Sequence, residues 1–248
     1  LDHKPEDLAV MNPYNQVPVL VERDSAWVDV VDQVTWLDGG QSFLWESERD
    51  GWRHVYRVSR DGGQTRLLTS GAFDIAAVSA VDRAGGWLYY TASPGNPTQR
   101  YLYRTRLDGT GQAERVSPTE VVGSHGYNIA PNAQVAIHTY SRFGTPGVTE
   151  LVRLPDHRAL RTLVANSQLR SRVEALRKGP AEFFQVDVGD GVTLNGWLMK
   201  PVDFNPTLKY PIFFTNYGGP GSQTVLDSWG GANYLWNLLL TQRGYLVA

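Results

Sequence analysis

The chain has 248 residues, 42% of them hydrophobic, with 23 Lys and Arg against 25 Asp and Glu for a formal net charge of −2. That is enough apolar material for one large core or two smaller ones, and the near balance of charge leaves no basic footprint for nucleic acid. Cysteine is absent, which excludes disulfides, thiol catalysis and cysteine-based zinc sites; the five histidines show no H-x-H or H-x-x-x-H spacing, so neither a metal nor a cofactor is expected.

From Asp32 to about Val164 the sequence repeats itself loosely. The first copy runs Val34–Trp45, then His54–Val58, then the turn Arg60-Asp61-Gly62-Gly63. The second runs Val78–Tyr90, then Tyr101–Thr105, then Leu107-Asp108-Gly109. A weaker third copy joins Ile129–His138 to Thr149–Arg153. Phe43 and Trp87 stand 44 residues apart, and Trp87 and Val135 stand 48 apart. Short aromatic and β-branched runs split by Asp-Gly or Gly-Gly turns form antiparallel hairpins, and recurrence at roughly 40–50 residues fits four-stranded propeller blades. The expectation is a mostly β chain in which residues 1–165 form a partial β-propeller of about three blades. An ordinary β-sandwich with coincidental hairpins is the alternative.

The pattern then changes. Asn166-Ser167 opens a helical stretch with Leu169, Val173 and Leu176 on one face, and Gly179-Pro180 ends it, so residues 166–180 read as a connecting helix. Arg170, Arg172, Arg177 and Lys178 read as its solvated face. Two strands follow, Glu182–Asp187 and Thr193–Met199, joined at Asp190-Gly191, a strong hairpin signal. Tyr210–Asn216 reads as a more buried strand that runs into Tyr217-Gly218-Gly219-Pro220-Gly221-Ser222. Such a glycine-rich break at a strand end is where open α/β sheets place chemistry. The apolar stretch Tyr234–Leu240 falls well short of the ~20 residues of a membrane span. No G-x-S-x-G nucleophile elbow occurs, so the chain reads as part of a larger enzyme.

These words in this order resemble the dipeptidyl peptidase IV branch of the prolyl oligopeptidase family. The matching residues are Leu37-Asp38-Gly39 with Ser42-Phe43, Ser47 through His54, Leu88 through Ser93, and Lys209-Tyr210-Pro211 with Tyr217 through Gln223. They span most of residues 20–248. The resemblance implies a serine peptidase with a propeller stacked on an α/β-hydrolase domain, of which 181–248 would be the N-terminal part, truncated before the nucleophile. It implies release of dipeptides from peptides with a free N-terminus, after Pro or Ala, through an acyl-serine intermediate. The nucleophile, acid and histidine would follow Ala248, and the glutamate pair that holds the substrate amine would lie upstream. Homodimers, and in bacteria export to the periplasm, are what the family implies for partner and compartment.

Two residues carry the resemblance into a site. The family's tyrosine at the position of Tyr217 donates its hydroxyl to the oxyanion of the tetrahedral intermediate, a task suited to a phenol on a rigid ring. Trp27 stands where family members place substrate-lining residues. Glu46 and Glu48 read instead as parts of a blade hairpin, and Ser222 as a turn hydroxyl. The competing readings are a propeller interaction module without catalysis and another peptidase of the family, such as an acylaminoacyl peptidase.

Overall fold

The computed structural model describes residues 8–11, 18–32, 34–218 and 222–248. A short antiparallel pair comes first, β1 (Leu8–Met11) with β2 (Pro18–Glu22). Three four-stranded antiparallel sheets follow, each formed by consecutive strands. The first is β3 (Thr35–Leu37), β4 (Ser42–Ser47), β5 (His54–Ser59) and β6 (Thr65–Leu67). The second is β7 (Ile75–Asp82), β8 (Trp87–Ala92), β9 (Tyr101–Arg106) and β10 (Glu114–Arg115). The third is β11 (Ser124–Ile129), β12 (Val135–Arg142), β13 (Thr145–Arg153) and β14 (Arg158–Val164).

These are blades of a partial β-propeller, because alternate residues of each strand pack against different neighbours. Leu44 and Val55 of the first sheet join Leu88, Tyr90 and Ala92 of the second in one core cluster. Phe43, Trp45, Tyr56 and Val58, on the opposite face of the first sheet, pack against Val19 and Leu20 of β2 and against Val31 and Val34. Tyr89 and Leu102, on the far face of the second sheet, meet Ala136 and Val152 of the third. Sheets covered on both faces need nearly continuous apolar strands, which is what the first two copies carry. Each fully buried Phe, Leu or Val here contributes about 1.5–3 kcal/mol.

The third sheet is a full four-stranded blade although its sequence copy is the weakest. Its hairpin between β12 and β13 reaches out of the blade. Phe143 at the tip packs against Phe183, Trp197 and Tyr234, with ring centroids 5.4–5.5 Å away.

The remaining elements are helix α1 (Ser167–Glu174), strands β15 (Ala181–Asp187), β16 (Thr193–Met199) and β17 (Ile212–Phe213), helix α2 (Gly231–Gln242) and strand β18 (Leu246–Val247). The strands form a mixed sheet of order β15-β16-β18-β17, in which β17 and β18 are parallel and α2 supplies the crossover. The β15–β16 hairpin turns at Asp190 (φ 53°) and Gly191 (φ 75°), and the Val192 N–H donates to Gly189 O at 2.9 Å. Two successive left-handed residues make the type I′ turn that the Asp-Gly pair predicts.

Three expectations need correcting. The strand at Tyr210–Asn216 is neither long nor buried: only Ile212–Phe213 enters the ladder, and Phe214 is 69% exposed. The reason is position, since β17 is the edge strand and α2 packs on β16 and β18. In α1, which packs on β13, only Val173 is buried; Leu169 is exposed, and so is Leu176 beyond the helix end. Asn166 does not cap the helix with its side chain; it adopts φ 52° and donates its amide to Gly147 O at 2.8 Å. Helix α2, unforeseen in the sequence, buries Tyr234, Asn237, Leu238 and Thr241 on one face. Among the described residues no helix is long and apolar enough to cross a membrane.

Candidate active site

Tyr217 leaves the mixed sheet at the carboxyl end of β17. The parallel ladder continues one step past the strand, where Thr215 N–H donates to Ala248 O at 2.6 Å and Ala248 N–H donates to Phe213 O at 2.9 Å. Tyr217 follows two residues later and is 56% exposed. The carboxyl ends of parallel strands are the usual place for reacting groups in open α/β sheets. Gly219-Pro220-Gly221 of the motif lie outside the described residues. Gly218 leaves open space where a Cβ would stand, and Ser222 is exposed.

Beyond the break the chain is tied to the blades. The Gln223 amide donates to Pro97 O at 2.7 Å, and its carbonyl oxygen accepts from Arg100. Asp227 is buried; its Oδ1 accepts from Phe143 N–H at 2.9 Å and its Oδ2 from Gln99 Nε2 at 3.0 Å.

Trp27 lies elsewhere, on a cavity of about 620 Å³ beside the first blade. Asp24 builds its approach: Oδ1 accepts the N–H groups of Ala26 at 2.7 Å and Trp27 at 3.3 Å, a turn closed by the side chain. Those two N–H groups hold the Asp24 carboxyl below the usual carboxylate range. The indole N–H then donates to Asp29 Oδ1 at 2.8 Å, so the residue is held at its backbone and at its ring nitrogen although it is 64% exposed.

Glu46 and Glu48 do sit on a strand and its turn, as their sequence pattern indicates, but they also line the cavity with Trp27. Glu46 accepts two hydrogen bonds from Arg53, at 2.6 and 3.0 Å. Burial first, then the negative charges of Asp29 and Asp74, push the Glu48 carboxyl above its ordinary range. Six carboxylates and three guanidiniums line this wall, a balance that favours a cationic group over an anionic one. The sequence pointed to this cavity only through Trp27, which stands where the resembled family places substrate-lining residues. Tyr217 does not line it. Among the described residues no cluster of three His, Asp or Glu is placed to hold a metal ion.

Comparison with known proteins places this geometry in a family. Residues 7–147, more than half of the chain, match the family model described as the dipeptidyl peptidase IV N-terminal region. A probable dipeptidyl peptidase 4 from Trichophyton verrucosum (strain HKI 0517) is 29% identical over 224 residues, covering 87% of this chain and 29% of the relative. Dipeptidyl peptidase 4 from Trichophyton rubrum is likewise 29% identical, with 28% of its length covered. This chain therefore spans less than a third of the length of these curated relatives. The crystal structure of Porphyromonas gingivalis dipeptidyl peptidase 4 superimposes with a TM-score of 0.82 and 32% identity, over 97% of this chain and 34% of that one. A putative dipeptidyl aminopeptidase IV from Bacteroides ovatus shares the fold, with a TM-score of 0.77 at 20% identity, over 97% of this chain and 37% of that one. With a family model matched over most of its blades, the chain belongs to the dipeptidyl peptidase IV family.

Proposed function

We propose that this chain is the junction of a dipeptidyl peptidase, with residues 1–165 a partial propeller, 166–180 a connecting segment that carries α1 and 181–248 the first part of an α/β-hydrolase domain. The whole protein then releases dipeptides from peptides with a free N-terminus, after Pro or Ala, through an acyl-serine intermediate. In this reading the nucleophile, acid and base belong to sequence beyond Ala248, and Tyr217 supplies an oxyanion donor. The observation that carries it is the place of Tyr217, two residues beyond the last paired residue of a parallel strand, on a chain anchored on both sides. When the nucleophile adds to the scissile carbonyl, negative charge moves onto oxygen. A phenol O–H held in place stabilises that charge without reorganising at the moment of reaction. Relatives named dipeptidyl peptidase 4 support the reaction class.

The test uses the full-length natural protein with a Gly-Pro or Ala-Pro chromogenic amide. Tyr217→Phe removes one oxygen and keeps the ring, so kcat should fall by roughly 10²–10³ with little change in KM. A kcat within about threefold of wild type removes Tyr217 from the site. A wild-type protein that binds partners but hydrolyses neither amide would favour the interaction-module reading.

A further inference from the structure

An oxyanion donor works only if it is held within ~0.5 Å of its productive position, yet Tyr217 is more than half exposed. Upstream it is held by the ladder between β17 and β18. Downstream, the holding groups come from the propeller. We propose that Gln223 and Asp227 are positioning residues through which the second and third blades set the placement of Tyr217. This rests on the donor role assigned to Tyr217 above.

The contacts converge from both blades. Arg100, at the start of the second blade's third strand, donates through Nη1 to Pro97 O and Gln99 O, each at 2.8 Å, and to Ser93 Oγ at 3.0 Å. Its Nη2 donates to Gln223 Oε1. The Gln223 amide returns to Pro97 O, so guanidinium and glutamine close on one carbonyl. Four residues on, Asp227 N–H donates to Thr98 O at 2.7 Å. Its carboxylate takes Gln99 Nε2 of the second blade and Phe143 N–H at the tip of the third, with Arg142 Nε 3.9 Å away. Trp229 N–H then donates to Ser141 Oγ at 3.1 Å.

Apolar side chains could hold these surfaces together without desolvating a charge. A carboxylate that is 6% exposed is costly unless its acceptors are filled, and its oxygens are filled here by donors from two separate blades. That arrangement specifies one relative position, because a slip of an ångström at either blade would leave a buried charge short of a donor. Tyr217 is ten residues from Asp227 and six from Gln223, between two fixed points.

A double-mutant cycle on the full-length protein tests this. Asp227→Ala should lower kcat by about 10- to 100-fold with KM within about threefold, the pattern of a misplaced transition-state group. In the Tyr217→Phe background the same change should cost less than about threefold, because the hydroxyl it positions is already gone. An equal loss in both backgrounds overturns the inference and leaves the donor role of Tyr217 standing. If Tyr217→Phe alone leaves kcat within about threefold, the donor role fails and the inference fails with it. If Asp227→Ala does not fold, the exposed Gln223→Ala takes its place in the same cycle. It should lower kcat by about 3- to 10-fold alone and by almost nothing beside Tyr217→Phe.

Discussion

His125 Nδ1 lies 2.9 Å from His138 Nε2 in the interior of the third blade, with the two rings tilted only 17° from parallel. His125 Nε2 is 2.9 Å from Val121 O, and a carbonyl can only accept, so Nε2 carries the proton and Nδ1 accepts from His138. His138 Nδ1 is then a bare lone pair, without a hydrogen bond and 3.8 Å from Glu150 Oε2. Both rings are neutral in this arrangement, and a proton added to His125 would set two N–H groups against each other.

Acid should therefore loosen the third blade. Burial pushes His125 down to about 4 and His138 down to about 3, with the charges of His157 and Arg115 adding to the effect on His125 and those of His157 and His125 on His138. Unfolded histidines titrate near 6.5, so the unfolded chain binds more protons below that pH and stability falls as pH drops from about 6.5 towards 4. The loss should be on the order of 2 kcal/mol per ring by pH 5, read as the urea midpoint across a pH series. Replacing both residues, His125→Phe with His138→Phe, should flatten that slope. A midpoint unchanged between pH 7 and pH 4.5 in the parent chain would contradict the assignment.

Beside the apolar contacts of Val19 and Leu20, the Glu22 carboxylate ties β2 to the first blade. Trp45 Nε1 donates to Glu22 Oε1 at 2.9 Å, and Arg49 pairs with the same oxygen. Glu22→Ala leaves a fully buried indole N–H without an acceptor, which should cost about 1–3 kcal/mol. Glu22→Gln keeps an acceptor oxygen and should recover at least half of that. Thermal or urea unfolding decides it; equal losses for Ala and Gln would mean that the charge on Arg49, not the indole, carries the contact.

The blades were legible because Gly-Gly and Asp-Gly turns divide runs such as Phe43–Trp45 and Leu88–Tyr90, whose alternate side chains serve two different cores. The third copy read as weak for a physical reason. Its strands carry the polar side chains His125, Tyr127 and His138 inward, with His125 against His138 and Tyr127 bonded to Ser117 and His157. Pattern reading assigns such residues to the surface. The exposure of β17 was illegible because it depends on where α2 packs, and α2 itself hid in an apolar stretch measured only against membrane thickness. Asp227 could not be found from sequence, since its carboxylate partners lie 84 and 128 residues away. Glu46 and Glu48 fit a hairpin so well that their second surface, on the Trp27 cavity, went unread.

Trp27 offers the sharpest separation between packing and binding. Its ring is mostly exposed and held by Asp29, while Asp24 holds the backbone N–H that alanine keeps, so removing the ring should cost the fold little: Trp27→Ala should change stability by no more than about 0.5 kcal/mol. If the indole is a wall for substrate, it touches ground state and transition state alike. In the full-length peptidase the variant should then raise KM by about 3- to 10-fold at nearly constant kcat, and Trp27→Phe should recover most of the loss. Asp29→Ala frees the ring without removing it and should show a smaller rise in KM of the same kind. The packing alternative predicts the reverse, a lowered melting temperature with KM unchanged. A Trp27→Ala enzyme with wild-type KM and wild-type melting temperature would exclude both roles and leave the cavity to its carboxylates.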